Sequence, residues 1–227
     1  MLRTGPALGL ALAGFFVGIV LAGILGLVAI AASGDDDGPG LLIGSFVGLW
    51  IPLVGAALLA SFAFGTRSPR RDLGLRLERA DLGLGVLVGV AGLLAATAVQ
   101  LLLSPFPELT GTNTNFVEEQ ADSVIGTIVV AISTMVGAPI VEELFFRGLV
   151  QRALDRLRWL AVVAQAFVFG LIHVTPEEGL GNVGIVLGVG AFGFVLGVAV
   201  KRWGRLGPAI IGHALFNAAA VVPLLFL

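Results

Sequence analysis

The 227-residue chain contains no cysteine and only two histidines, and charged residues make up just 12 % of it. Without cysteine, disulfide scaffolds, thiol nucleophiles and cysteine-ligated metals are excluded. Soluble domains carry roughly 25 % charged residues, so the low charge argues against a soluble enzyme or a disordered regulator. The formal net charge of −2 offers no basic surface for nucleic acid.

The chain has long apolar runs instead. Apolar residues make up 57 % of it and the mean hydropathy is +1.04. A membrane-spanning helix needs about 20 mostly apolar residues. Runs that approach or exceed this length lie at 8–32, 41–65, 82–103, 124–152, 160–174, 180–200 and 208–227. The sequence therefore predicts an all-α, polytopic transmembrane helical bundle of about 7–8 membrane helices.

Lysine and arginine are distributed unevenly between the connections. Twelve of the 13 basic residues fall on one side if the chain crosses the membrane seven times, and the other, Arg147, lies inside an apolar run. The opposite connections contain aspartate and glutamate but no basic residue, at 35–37, 108–122 and 177–178. By the positive-inside rule we predict a multi-pass protein of the cell membrane with a cytoplasmic N-terminus.

Two features of the apolar runs allow two interpretations each. The first run follows Arg3 as in a signal peptide, but its length of about 24 residues exceeds the 7–15 that are typical, so a retained helix is predicted. Glycines four residues apart indicate either dimerisation or, as we predict, close helix packing within the bundle. These glycine pairs are 14/18, 44/48, 85/89, 184/188 and 193/197.

A few ionisable residues interrupt the apolar runs. Each costs about 2.5–3.5 kcal/mol at the membrane centre, so such residues are functional candidates. They are Glu142, Glu143 and Arg147, then His173, then His213. Glu143 and Arg147 are four residues apart and share a helix face, so they can form an ion pair. Glu142 has no cation at this spacing, which leaves it free to act as a general base.

His213 and Asn217 are also four residues apart, and an amide can donate a hydrogen bond to a developing oxyanion. At 1.5 Å per residue, Glu142, His173 and His213 lie roughly 15, 20 and 9 Å from the ends of their segments that adjoin the basic connections. These depths overlap loosely in the inner half to the middle of the membrane, so one pocket could collect the three residues. The alternatives are a purely structural ion pair, a histidine at the membrane interface and hydrogen bonds that only join helices. Pro139 also allows a broken or re-entrant segment within 122–158.

The protease motifs His-Glu-x-x-His and Gly-x-Ser-x-Gly are absent, and Gly-x-Gly-Asp has only a partial match at Ala32-Ser33-Gly34-Asp35. Three other motifs are present in order on successive apolar segments. They are Glu142-Glu143-x-x-x-Arg147, Phe169-x-x-x-His173 and His213-x-x-x-Asn217. Together they resemble the CPBP family of CAAX proteases and bacteriocin-processing proteins, which includes the type 2 CAAX prenyl endopeptidases. The resemblance covers about residues 85–225.

The resemblance implies an all-helical intramembrane endopeptidase whose site opens to the cytoplasmic leaflet. It divides the chain into N-terminal transmembrane helices with an interfacial segment, 1–80, and a protease-like domain, 81–227. Glu142 would activate the attacking water. The implied site is completed by His173, His213 and Asn217, with Glu143, Arg147 and Phe169 in support. His173, His213 and a carboxylate could alternatively hold Zn²⁺ with an open coordination position.

The expected partners are the lipid bilayer and a membrane-associated protein or peptide substrate, with no nucleic acid. Family membership does not guarantee activity, so a catalytically inactive membrane scaffold or immunity protein is the main alternative. A small transporter with a Glu/His proton relay is the other alternative.

Overall fold

The computed structural model describes residues 2–34, 38–114 and 124–223, which form apolar helices and no strand. We number the helices that follow the predicted apolar runs. They are α1 (Thr4–Ser33), α2 (Pro39–Phe64), α3 (Asp81–Leu103), α4 (Val124–Gln151), α5 (Trp159–Leu171), α6 (Asn182–Trp203) and α7 (Gly207–Val221). Five of them are long and apolar enough to cross a membrane, while α5 and α7 are shorter. The predicted all-α transmembrane bundle is confirmed.

The first helices bury mainly small residues, and large apolar side chains cover much of the outside of the bundle. The buried residues of α1 are Ala7, Ala11, Gly18 and Gly26, whereas Leu12 and Phe16 are exposed. Large apolar side chains are similarly exposed on α2, α3 and α4. Soluble proteins rarely expose contiguous apolar surface on this scale, whereas a bilayer solvates it. The chain is therefore a multi-pass membrane protein.

The glycine pairs face other helices of the same chain. A Cβ atom added to Gly44 would lie 2.6 Å from the Leu25 carbonyl oxygen, and one added to Gly48 would lie 2.5 Å from the Ala22 nitrogen. The other pairs likewise meet atoms of neighbouring helices. These contacts confirm that the small residues serve close packing within the bundle.

Hydrogen bonds join the basic connections at one end of the bundle. Arg205 Nη2 lies 2.6 Å from Asp81 Oδ1, and Arg152 Nη2 donates to the Gly204 carbonyl at 2.8 Å. The Leu206 N–H donates to the Gly74 carbonyl at 2.9 Å. We call this end, formed by 66–80, 152–158 and 201–206, the arginine-rich face.

The opposite end is formed by residues 104–114 and 172–181, and we call it the acidic face. The Gln100 amide of α3 donates to the carbonyls of Gly111 and Gly184 there, at 3.3 and 3.4 Å. The acidic residues at 35–37 and 118–122 lie outside the described residues. The connections that the charge pattern grouped thus meet in the structure, and which face is cytoplasmic stays a prediction.

Helix α4 changes its hydrogen-bonding register twice. In Ser133–Gly137 and Glu143–Gln151 the N–H groups bond to carbonyls five residues back, as in a π-helix. The Ala138 N–H, for example, donates to the Ser133 carbonyl. The next bond in this register would run from residue 139 to Thr134, but Pro139 has no N–H to donate. The helix nevertheless continues through Pro139, so the broken-segment alternative is wrong for the described part of 122–158.

Candidate active site

An ion pair lies at the centre of the bundle. Glu143 and Arg147 are both fully buried, and Arg147 Nη1 donates to Glu143 Oε1 at 2.9 Å. Arg147 Nη2 donates to the Gly193 carbonyl of α6 at 3.1 Å, and its guanidinium lies 4.2 Å from the centroid of the Phe169 ring. The pairing predicted from the four-residue spacing is confirmed.

His213 shares the same carboxylate oxygen. Its Nδ1 lies 2.9 Å from Glu143 Oε1, which is an acceptor because Glu143 is paired with Arg147. We therefore assign the proton to Nδ1, which donates this hydrogen bond. The other ring nitrogen, Nε2, then carries a lone pair when the ring is neutral. It lies 3.9 Å from Glu142 Oε2.

His173 is oriented in the same way by a different acceptor. Its Nδ1 lies 2.7 Å from the Phe169 carbonyl, and since a carbonyl only accepts, Nδ1 donates. Its Nε2 lies 4.0 Å from Glu142 Oε2. Both imidazoles thus direct an acceptor nitrogen at one oxygen of Glu142.

Glu142 Oε2 is buried and makes no hydrogen bond to any described residue. A buried acceptor without a donor costs about 1–3 kcal/mol, so this convergence of three acceptors requires a donor between them. Two acceptors that share one water lie about 4.5 Å apart when each hydrogen bond is about 2.8 Å long. The gaps of 3.9 and 4.0 Å are about half an ångström shorter than that span, and a bridging water reaches both atoms with a smaller angle between its hydrogen bonds. The arrangement of Glu142, His173 and His213 fits a single water molecule.

Phe169 holds both imidazoles in place. Its ring is 1 % exposed, and its centroid lies 4.7 Å from that of His173 and 5.9 Å from that of His213. The rings of Phe146 and Phe192 pack on it from other sides. This explains the predicted supporting position of Phe169, four residues before His173 on α5.

Asn217 is oriented by the irregular part of α4. Its Nδ2 donates to the Thr134 carbonyl at 2.7 Å, the carbonyl that Pro139 leaves without a donor in the π-helical register. This hydrogen bond joins α7 to α4, which agrees with the alternative that Asn217 serves to join helices. Because the bond uses one of the two amide hydrogens of Asn217, the second amide N–H stays available. Sequence reasoning missed Thr134, although a proline inside an apolar run was the available signal.

A cavity of about 290 Å³ lies beside these residues. Glu142, His173, His213 and Asn217 all line it, so the four predicted catalytic positions meet at one site. Glu143 and Arg147 lie behind them in the buried core. Neither of the glutamates at 177 and 178 lines the cavity.

The cavity extends from Glu142 toward the acidic face. Its outer part is lined by Asn113 and Thr114 and by the acidic-face halves of α2, α4 and α7. No lining residue comes from the arginine-rich face. In the predicted orientation this is opposite to the cytoplasmic opening that the family resemblance implies.

The spacing of the candidate ligands differs from the spacing in a tetrahedral zinc site. Zinc ligands at about 2.0–2.1 Å in a tetrahedral site lie about 3.4 Å from one another. The imidazole nitrogens of His173 and His213 are farther than this from Glu142 Oε2. Within 2–34, 38–114 and 124–223, no group of three or more His, Asp or Glu is placed to hold a metal ion. The metalloprotease alternative is therefore not supported.

The fold and the site define a multi-pass helical membrane protein with a polar centre built from carboxylate, imidazole and amide groups inside the bundle. Residues 124–219, which include the four predicted catalytic positions and the three supporting ones, match the family described as type II CAAX prenyl endopeptidase Rce1-like. The match confirms the resemblance carried by the three motifs and indicates a membrane endopeptidase of the CAAX-protease type. No curated protein and no solved structure matches the chain.

Proposed function

We propose that the protein is an intramembrane endopeptidase that hydrolyses a peptide bond of a membrane-associated protein or peptide with water activated by Glu142. The observation that carries the proposal is the convergence of three acceptors. Oε2 of Glu142 is buried, has no hydrogen-bond donor among the described residues and faces the Nε2 atoms of His173 and His213 at 4.0 and 3.9 Å. Water held there donates one hydrogen to Glu142 and the other to an imidazole.

In the proposed reaction the water oxygen attacks the carbonyl carbon of the substrate as Glu142 takes a proton from the water. The carbonyl oxygen becomes an oxyanion, to which the free amide N–H of Asn217 donates. The C–N bond then breaks and Glu142 returns its proton to the departing nitrogen. Glu143 holds His213 and is itself held by Arg147, so these two residues act as positioning residues.

The division of the chain at residue 81 belongs to the same proposal. Helix α3 packs on α7 through Gly85 and Gly89 and on α6 through Gly92, so it supports two helices that carry or flank the site. Helix α1 packs along α2, and both belong to the proposed N-terminal unit 1–80. We also propose the cytoplasmic N-terminus, on the grounds of the positive-inside rule.

Mapping of new protein termini tests the proposed activity. Membranes that contain the wild-type protein or Glu142→Gln at equal abundance are compared, with Glu177→Gln as the control for loss of an exposed glutamate. We expect termini that are present with the wild type and with Glu177→Gln but absent with Glu142→Gln. Identical termini in all three membranes, after substrates from several cell sources have been supplied, would contradict proteolysis and support the inactive-scaffold alternative.

Substitution of Asn217 tests the proposed oxyanion donor. We expect Asn217→Ala to lower kcat by about 10²–10³-fold with little change in KM, because the lost hydrogen bond forms mainly in the transition state. Asn217→Asp should be no more active than Asn217→Ala, because a carboxylate cannot donate a hydrogen bond to the Thr134 carbonyl or to an oxyanion. The measurement is steady-state cleavage of the substrate identified above.

Asn182→Ala is the matched control for Asn217, since the hydrogen bonds of the Asn182 amide to described residues go to Thr175 and Gly179 near the acidic face. It should leave kcat within a few-fold of the wild type. Full activity of Asn217→Asp would show that the amide donor is not required.

A further inference from the structure

The two sides of the candidate site differ in packing. Toward the arginine-rich face, α4 continues into residues that are almost completely buried: Phe146, Arg147, Leu149 and Gln151. Gln165 of α5 is also fully buried beside them and donates to the Gly193 carbonyl at 3.2 Å. This layer fills the space between Glu143 and the arginine-rich face. A substrate coming from that face would have to displace a buried ion pair.

Toward the acidic face, by contrast, the cavity begins at the catalytic carboxylate. Glu142 and His173 keep about a fifth of their side-chain surface accessible, at 18 % and 21 %. The cavity continues past Ala220 of α7 and Phe46 of α2 to Thr114, which lies beyond the acidic-face end of α3. Every segment that lines this part contributes from its acidic-face half.

We propose that the substrate reaches Glu142 from the acidic face, as an extended apolar stretch of a polypeptide embedded in that half of the membrane. This inference rests on the proposed endopeptidase function and adds to it the side of access and the chemistry of the substrate. In the orientation that the positive-inside rule predicts, the acidic face is the outer one. The substrate segment then lies in the outer half of the bilayer.

The lining of the cavity supports this occupant. Most of the lining residues are apolar, and the aromatic ones are Phe46, Phe169, Phe192 and Phe216. Two of these rings, Phe46 and Phe216, are partly exposed and suit apolar side chains of a substrate. An extended peptide inside a membrane also needs partners for its backbone N–H and C=O groups, because each unsatisfied group costs several kcal/mol. Asn113 and Thr114 place an amide and a hydroxyl along the same cavity.

The native absence of cysteine allows a direct test of access. Single cysteines are introduced as Thr114→Cys and Ala220→Cys in the cavity. Arg156→Cys on the arginine-rich face and Glu177→Cys on the acidic face are exposed reference positions outside the cavity. A membrane-impermeant maleimide is applied to sealed vesicles of either orientation, and labelling and substrate cleavage are measured for each variant.

We expect Thr114→Cys to be labelled from the same side as Glu177→Cys and from the side opposite to Arg156→Cys. Labelling of Thr114→Cys or Ala220→Cys should slow its cleavage at least about tenfold relative to the same unlabelled variant. Labelling of the two reference cysteines should change the rate less than twofold. Ala220→Cys keeps the test decisive if Thr114→Cys is inactive before labelling.

Labelling of the cavity cysteines from the arginine-rich side would overturn the inference, as would undiminished cleavage after complete labelling of both. Absence of any cleavage by the unsubstituted protein would instead contradict the proposed function, whichever side is labelled. Because the side of labelling is measured without proteolysis, the two failures are distinguishable.

Discussion

Glu142→Gln is expected to lower the rate of peptide hydrolysis by about 10²–10⁴-fold while leaving the thermal stability of the protein within about 0.5 kcal/mol of the wild type. Glutamine keeps the size of the side chain but cannot accept a proton from water. In the structure Glu142 Oε2 makes no hydrogen bond to a described residue, so the substitution breaks no internal hydrogen bond of that oxygen.

The neighbouring glutamate provides the contrast that makes this prediction specific. Glu143 Oε1 accepts hydrogen bonds from both Arg147 and His213, so Glu143→Gln should impair folding and activity together. Thermal unfolding in detergent and the rate of cleavage would be measured for both variants. A large loss of stability in Glu142→Gln, or catalysis near the wild-type rate, would rule out the proposed division of roles between the two carboxylates.

Arg147→Met is expected to destabilise the protein by about 3–5 kcal/mol, the cost of leaving one partner of a buried ion pair unpaired. Arg147 is fully buried, and its removal would leave Glu143 without its cation and take one of two donors, the other being the Gln165 amide, from the Gly193 carbonyl. The loss should be visible as a lower unfolding temperature and a lower yield of folded protein. Arg156→Met removes an exposed arginine and should change stability by less than about 0.5 kcal/mol.

A double variant separates the charge effect from lost packing. Glu143→Gln combined with Arg147→Met removes both charges, so it should be more stable than Arg147→Met alone even though it changes one more residue. It should still be inactive, because glutamine in place of Glu143 no longer supplies the anionic acceptor for His213 Nδ1. If the double variant were no more stable than the single one, the unpaired charge would not be the cause of the loss.

The sequence predicts much of the fold because local patterns determine it. Apolar runs locate α1 to α7, and the four-residue spacing of Glu143 and Arg147 predicts their ion pair before any tertiary contact is known. Depth along the helices also allows Glu142, His173 and His213 to share one pocket. Each of these inferences depends only on helix geometry and on the cost of charge in an apolar medium.

What the sequence does not predict depends on contacts between distant segments. The hydrogen bond from His213 to Glu143 joins residues that are 70 positions apart. The hydrogen bond from Arg147 goes to the backbone carbonyl of Gly193, and since every residue has such a carbonyl, the sequence does not indicate which one accepts. The Thr134 carbonyl is available to Asn217 through a change of helical register that apolar periodicity does not encode. The side toward which the cavity extends is likewise a property of the assembled helices.

The π-helical turn of α4 affects how the chain can lose activity in evolution. A π-helical turn is equivalent to a single inserted residue, and removal of that residue restores the ordinary α-helical register. Deletion of one codon within 133–137 would remove the turn that presents the Thr134 carbonyl to Asn217, while the parts of the helix on either side keep nearly the same relative orientation. All three sequence motifs would survive such a deletion unchanged. A descendant with every motif residue intact would then lack the hydrogen bond that orients Asn217, and we expect the length of the helix, not the motifs, to reveal that loss.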